Sequence, residues 1–562
     1  MTDKHDDKGN GYSDESSVVH NDEARRGGYG DTDVFGHEEG HDIKYKTLSW
    51  QLVAVLMIAE IVSNGMLSLP SSLAVVGIVP GLIIIIFLGV FATYTSWLLV
   101  KFKMNHPEVH NMGDAGYILF GPVGRELLAF GTVVFAVFAT GGQLLAGQIA
   151  LAALSDNKLC LMLYTGIFAI PTLICSFPRT LDGLSWLSIP SVLSIMVAGI
   201  VGMVGAGTHP EPGRTVSVAE SSSFYTAFIS ITNPVFAYAG HFMFFIMVSE
   251  MKKPQHAMRA AYTLQSFATT YYAVFAAVVY VYIGNSVASP AFSSLEPKWQ
   301  KAAYGIAIPN FLIAGSLYAH TASKLVFVRL FRHSRHLHSH TVLGWGTWAI
   351  LILIMNGCAF VLAVGVPIFN YLIGIAASLF AAWFTYGIAG MFWLHDAYHI
   401  EDGFSTWTRK WFQSTLALVT VVIGAFICVA GMYVTVRSIV EAYDTGEVAS
   451  PFASRRQYQE ANEVVLSNST SSPATMPMST AQHLSPSSPA TLASNNQGRR
   501  VRFADDYAPS VLSLRLKLGP RQRPTMVLKI SIYFEHGRLP RVKVKTKKPR
   551  ERRRRQYVPE EE

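Results

Sequence analysis

Residues 60–70 read Glu60-Ile61-Val62-Ser63-Asn64-Gly65-Met66-Leu67-Ser68-Leu69-Pro70, a small and polar cluster with helix breakers inside an apolar stretch, 49–76. A helix crosses about 30 Å of hydrocarbon with about 20 predominantly apolar residues, and this stretch is long enough to do so. Irregular backbone survives at membrane depth only where protein buries it or a cavity receives it. A second interruption, Asn233-Pro234-Val235-Phe236-Ala237-Tyr238-Ala239-Gly240-His241, falls within another apolar stretch, 224–249. Comparable segments recur at 79–100, 125–153, 159–177, 184–206, 258–284, 303–328, 342–364, 367–394 and 411–436, giving about eleven transmembrane helices. The expected fold class is therefore an all-α polytopic membrane protein. Its interrupted spans are the first and the sixth, five apart, which is the pattern of an inverted five-helix repeat with broken helices 1 and 6 and a substrate site near the bilayer midplane.

Composition agrees with this reading. Asp, Glu, Lys and Arg make up 15% of the chain and the mean hydropathy is +0.30, against roughly 25% charged residues in soluble domains. A water-soluble globular enzyme is excluded on that ground, and no acid/base pair or nucleophile set converges on one membrane level. The formal net charge of +8 resolves into −6 over residues 1–47, +2 over 48–498 and +12 over 499–562. The basic character thus belongs to the tail and gives no reason to expect a nucleic-acid partner. Four divisions follow: a disordered acidic arm (1–47), a transmembrane transporter domain (48–438), a low-complexity Ser/Pro-rich linker (439–498) and a basic disordered tail (499–562). With the N-terminus in the cytoplasm, fourteen Lys and Arg of the bundle lie inside and five outside. This satisfies the positive-inside rule and, for an odd number of spans, places the C-terminus outside. No removable signal peptide is expected. The sequon at Asn468 could be used only if the tail is outside.

A half-helix N-terminus offers unpaired N–H groups to an anion, and unwound carbonyls accept from an ammonium. A zwitterionic amino acid matches both ends. The expected carboxylate site is the backbone around Gly65, Met66, Leu67 and Ser68, with Asn64 beside it. The expected amine site is the carbonyls near Ile61, Val235 and Phe236. Phe236, Tyr238 and Met66 are candidates for the side-chain pocket, closed by Gly240. No arginine or acidic pair flanks the breaks, so neutral L-amino acids are the expected substrates.

Ionisable groups inside a membrane are costly and are default candidates for ion coupling. Glu60 stands one turn before Asn64, on the same helix face, and is either a proton carrier or a structural carboxyl. His241 either titrates or is a satisfied core histidine. Lys324, with His320, Thr321 and Ser323 nearby, either occupies an ion position or snorkels to the inner interface. Gln143 and Gln148 either line the cavity or bond neighbouring helices. Cys160, Cys175, Cys358 and Cys428 suggest neither disulfides nor a zinc site. The histidines at 333, 336, 338 and 340 sit among Arg332 and Arg335 and are read as a solvated surface, so no metal site is expected.

The sequence resembles the amino acid/auxin permease (AAAP) family, and within it the fungal neutral amino acid permease branch. The residues carrying the resemblance are Glu60 through Pro70, Gly113-Asp114-Ala115-Gly116 with Phe120-Gly121-Pro122 and Gly124-Arg125, Phe236 through His241, and Ser249-Glu250-Met251. The resemblance spans about residues 44–436. It implies a LeuT-like inverted repeat with an added eleventh helix, plasma-membrane rather than vacuolar location, and coupling to protons rather than sodium. The resulting expectation is a proton symporter importing neutral amino acids by alternating access without a cofactor; the alternative is a non-transporting amino acid receptor on the same fold. Lys4, Lys8, Lys44 and Lys46 on the arm are candidate acceptors for ubiquitin and the endocytic machinery.

Overall fold

The computed structural model describes residues 34–35, 38, 42–332, 334–365, 369–401, 403–444, 527–533 and 541–547. The first span forms in two pieces. Ser49 caps α1 (Trp50–Ile61), its hydroxyl accepting from the Leu52 N–H at 3.3 Å. The chain unwinds at Val62 and Ser63 and restarts as α2 (Asn64–Val76), bent by 50° from α1. Gly77 follows with φ +89°, and a Cβ there would lie 2.5 Å from the Ala219 Cα, so glycine is required at this turn.

The bundle continues through α3 (Ile78–Asn105), α4 (Met112–Leu154), α5 (Leu161–Cys175) and α6 (Leu181–Thr208). The sixth span comprises α7 (Phe224–Ala237), an irregular turn through Tyr238 and Gly240, a 3-10 turn (His241–Met243) and α8 (Phe244–Ser249). Next come α9 (Ala257–Ile283), α10 (Pro297–Phe331) and α11 (Val342–Gly365). The next run is α12 (Phe369–Ala376), a π-helical segment (Ala377–Gly387) and α13 (Ile388–His399). The short α14 (Phe404–Arg409) precedes the last span, α15 (Trp411–Asp444). Both broken spans stand where the sequence placed them, in an all-α, polytopic bundle.

Among the described residues nine helices are long and apolar enough to cross a membrane, ten when the bent α1–α2 pair is one span. The segment expected at 159–177 is the 15-residue α5, shorter than a full span. The count of about eleven is therefore not established by length. Burial separates the centre from the rim. The sixth span and α10 each have 89% of their most apolar window buried, against 28% for α15. Ile83, Phe87 and Val90 on α3 are exposed, an apolar face that suits lipid rather than water.

Three segments differ from expectation. The span expected at 125–153 begins earlier, at Met112: Asn111 caps it through hydrogen bonds from the Gly113 and Asp114 N–H groups (2.8 and 3.2 Å), and α4 runs on through a kink at Gly121, φ +67°. The acidic arm is not wholly without structure. Phe35 stacks on Tyr45 at 4.6 Å, and both are buried with Val34 and Ile43 against Phe327, Trp348 and Ile352. Four apolar residues scattered among the acidic ones supply the surface that docks it. Lys4 and Lys8 lie outside the described residues, as do His333, residues 445–498 of the linker and the Asn468 sequon; the first residues expected in the linker, 439–444, instead continue α15. Within the tail, β1 (Val527–Tyr533) and β2 (Arg541–Lys547) pair antiparallel, Ile530 opposite Val544. These residues form a hairpin rather than a structureless chain.

Candidate functional site

The two breaks lie directly against each other. A Cβ on Gly65 would fall 2.6 Å from the Ala237 Cα, backbone against backbone. A Cβ on Gly240 would fall 2.3 Å from Ile61 Cδ1 and 3.5 Å from Glu60 Oε1. Gly65 and Gly240 therefore let the unwound segments approach, and Glu60 points into the junction. The Tyr272 hydroxyl, from α9, stands 2.8 Å from the Ile61 carbonyl and 2.9 Å from the Ala237 carbonyl, so one proton is shared between the two breaks. Tyr318 on α10 donates to the Glu60 carbonyl at 2.9 Å, and Asn310 donates to the Ala59 carbonyl at 3.2 Å. The carbonyls freed where α1 unwinds are thus held by side chains of the seventh and eighth spans. The Ile61 carbonyl of the expected amine site thus already accepts one hydrogen bond, from Tyr272.

Around this junction polar groups are buried and unmatched. Among the described residues neither carboxyl oxygen of Glu60 has a hydrogen-bond partner, nor does Asn64 Oδ1, although Glu60 is 1% and Asn64 2% exposed. The Ser63 side chain does not cap α2, and although the Met66 N–H donates to the Ser63 carbonyl at 3.2 Å, the start of the helix keeps N–H groups pointing toward the break. Gln143 accepts from the Ser63 hydroxyl at 3.0 Å and so joins the break, whereas Gln148 accepts from Thr165 at 2.7 Å and ties α4 to α5. Ser68 donates back to the Gly65 carbonyl at 2.9 Å. Met66, Leu67 and Val235 are buried beside it. Phe236 meets Phe135 edge-on at 6.5 Å, and Phe135 stacks on Phe380 of the π-helical segment at 5.6 Å.

Other expected residues lie elsewhere. The Tyr238 hydroxyl donates to the Ile85 carbonyl at 3.0 Å and lies 3.3 Å from Thr269, so it braces the sixth span against α3 and α9. His241 Nε2 donates to the Ala92 carbonyl at 2.9 Å, with Ser96 at 2.9 Å and Thr95 at 3.2 Å. Its other ring nitrogen, Nδ1, is buried and has no hydrogen-bond partner among the described residues. Lys324 does not snorkel. It is 1% exposed and forms an ion pair with Glu250, whose second oxygen accepts from the Leu181 N–H at 3.3 Å. The Lys324 ammonium also lies 5.1 Å from the Tyr45 ring centroid. Burial raises the Tyr45 phenol to about 12; it stays protonated and donates to the Leu337 carbonyl at 3.0 Å. Glu60, His241 and Lys324 thus occupy three separate environments. The histidines of the 334–340 loop are apportioned separately: His336 to Thr341, His338 to the Ile43 carbonyl and His340 to Trp345.

Two broken helices meeting at buried, unmatched polar groups form a seam of the kind that transporters place at the midplane. The family model described as transmembrane amino acid transporter protein matches residues 46–437. The chain belongs to that family. Among fungal members, a transmembrane transporter of Fusarium pseudograminearum is 30% identical over 76% of this chain and 90% of its own length. The N amino acid transport system protein of Neurospora crassa is 28% identical over 74% and 90%. A solved Na+-coupled sialic acid symporter in a substrate-bound outward-open state has 11% identity and a TM-score of 0.45, covering 75% of this chain and 97% of that one.

In this amino acid transporter the residues that sequence reading missed are Tyr272, Tyr318, Asn310 and the ion-pairing role of Glu250. Tyr272 and Tyr318 sit in unbroken apolar helices, where an aromatic residue reads as packing. Glu250 lies just after a buried helix, and a charge at that position gives no sign of its distant lysine.

Proposed function

We propose that this transporter imports neutral amino acids across the plasma membrane by proton symport, with its N-terminus in the cytoplasm and its C-terminus outside. The observation that carries the reading is Glu60, a buried carboxyl without a partner at the contact of the two breaks. An ionised carboxyl left unpaired there is costly, and an arriving proton or substrate ammonium removes that cost. The first-turn N–H groups of α2 receive the substrate carboxylate, with positive dipole character behind them. The amine lies beside Glu60 and competes with Tyr272 for the Ile61 and Ala237 carbonyls. Met66, Val235 and Phe236 contact an apolar side chain. Two breaks that open and close against each other supply alternating access, and the cycle is transport rather than catalysis, with no cofactor. Lys44, exposed on the docked segment, is a ubiquitin acceptor for endocytic control.

The test is uptake of labelled leucine and phenylalanine into cells lacking their own permeases, at two pH values, with and without sodium. Uptake should rise with an inward proton gradient and ignore sodium. Glu60→Gln should flatten the pH dependence while competition by unlabelled substrate persists. Absence of uptake of any amino acid at any pH would sink the transport reading, and unchanged pH dependence in Glu60→Gln would move the proton to another group.

A further inference from the structure

A second constellation lies away from the breaks, where α3 ends and α13 ends. His106 caps α3, its N–H donating to the Phe102 carbonyl at 2.9 Å. His395 and Asp396 lie in the last turns of α13. The Asp396 Oδ1 is 2.9 Å from His106 Nε2 and 3.4 Å from His395 Nδ1. One donor atom from each of the three residues falls within 4.8 Å of the others. His399 stands one turn beyond His395, their ring centroids 4.4 Å apart. Four residues after His106, His110 meets the Phe35 ring of the N-terminal segment edge-on at 5.4 Å.

The surrounding groups orient these donors. Asn105 Nδ2 donates to Asp396 Oδ2 at 2.8 Å, which holds the carboxylate and leaves Oδ1 for the two imidazoles. Glu108 lies 3.5 Å from His106 Nδ1, the ring nitrogen on the far side from Asp396. A histidine ligand held through its other nitrogen by a carboxylate, and a carboxylate ligand held through its other oxygen by an amide, are the usual outer partners of a metal site. The donor side chains are 14%, 17% and 10% exposed, sheltered yet reachable from water. Asp396 and Asn105 also line a cavity of about 120 Å³.

We propose that His106, His395 and Asp396 bind a divalent zinc-type ion, with His399 or water as fourth ligand, stapling the end of α3 to the end of α13. Two imidazoles and one carboxylate suit a first-row ion of zinc character better than magnesium or calcium, which prefer all-oxygen shells. Tetrahedral ligands about 2.1 Å from zinc stand about 3.4 Å apart, so side-chain movements of about an ångström bring these donors into place. The π-helical segment directly before α13 is a stretch of altered helical register, and an ion at α13's far end pins that element to α3. Metal binding here does not depend on which substrate the breaks accept.

The experiment titrates the purified, tag-free full-length protein with Zn2+ against a chromogenic chelator, and with Co2+ while recording its visible absorption. One ion per chain is expected, with the intense absorption of tetrahedral cobalt. His106→Ala and Asp396→Asn should each lower affinity at least tenfold and lose that band, while His336→Ala keeps both. If those variants fail to fold, Asn105→Ala, which leaves all ligands in place, should weaken binding about 10- to 100-fold. Zero stoichiometry in the wild type would show that the cluster is a hydrogen-bonded tie only and overturn the proposal, as would unchanged binding in the ligand variants or a loss confined to His336→Ala.

Discussion

Gly65 shows how a single missing methyl decides whether the two breaks can meet. Its neighbour is not the mobile end of a side chain but the Cα of Ala237, 2.6 Å from where a Cβ would sit. Gly65→Ala must therefore separate α2 from the sixth-span break. The expected result is at least a tenfold loss of uptake (~1.4 kcal/mol or more in the transport barrier) with normal amounts of protein at the cell surface. Near-normal uptake would mean that the seam is not part of the working site. Tyr272 makes the complementary point with one hydroxyl. Tyr272→Phe keeps the ring and leaves the Ile61 and Ala237 carbonyls short of a buried donor, a deficit of about 1–3 kcal/mol. Thermal unfolding in detergent should register that loss, and an unchanged midpoint would show that the shared proton contributes nothing.

At the scale of elements, the buried tie between the sixth and eighth spans is the Glu250–Lys324 pair, both side chains shielded from solvent. Removing one partner strands the other, which costs about 3–5 kcal/mol for a buried pair, whereas replacing both often costs little. Lys324→Met should therefore unfold at distinctly lower temperature than the wild type, and Lys324→Met with Glu250→Gln should recover much of the difference. Equal melting of the single and double variants would show that the pair is not coupled. The same contrast explains what the sequence could reveal. Broken spans were legible because Gly, Pro, Asn and Ser at membrane depth conflict with an apolar helix, and a conflict is visible locally. Glu60 and Asn64 shared a face by simple helical spacing. Tyr272, Tyr318 and the partner of Lys324 were not legible, since each acts across more than 30 residues of chain and looks locally like ordinary packing. The contacts of Tyr238 and His241 with α3 and α9 were not legible for a related reason: a polar group beside a break can turn outward to brace a neighbouring helix, and only the packing of those helices decides which way it faces.

At the scale of the whole molecule, charge and topology make one argument. The N-terminal segment, the end of the sixth span and the loop after α10 share one face: Leu48 N–H donates to the Glu250 carbonyl, Lys252 N–H to the Leu48 carbonyl, and Ile43 N–H to the His338 carbonyl, at 3.0, 2.9 and 3.1 Å. That face carries Lys44, Lys46, Lys252, Lys253, Arg332 and Arg335, so the cluster of positive charge read from sequence is also a cluster in space. The positive-inside bias assigns such a face to the cytoplasm. In the proposed orientation Cys160, exposed and free in the connection between α4 and α5, is expected outside. In a variant keeping Cys160 as its sole cysteine, a membrane-impermeant maleimide should label intact cells. With Cys160 replaced as well and Lys253→Cys introduced at an exposed position just after the sixth span, labelling should require permeabilisation. The reverse pattern would invert the protein in its membrane and overturn the proposed cytoplasmic N-terminus, while labelling of both in intact cells would show that the α5 segment fails to carry the chain across.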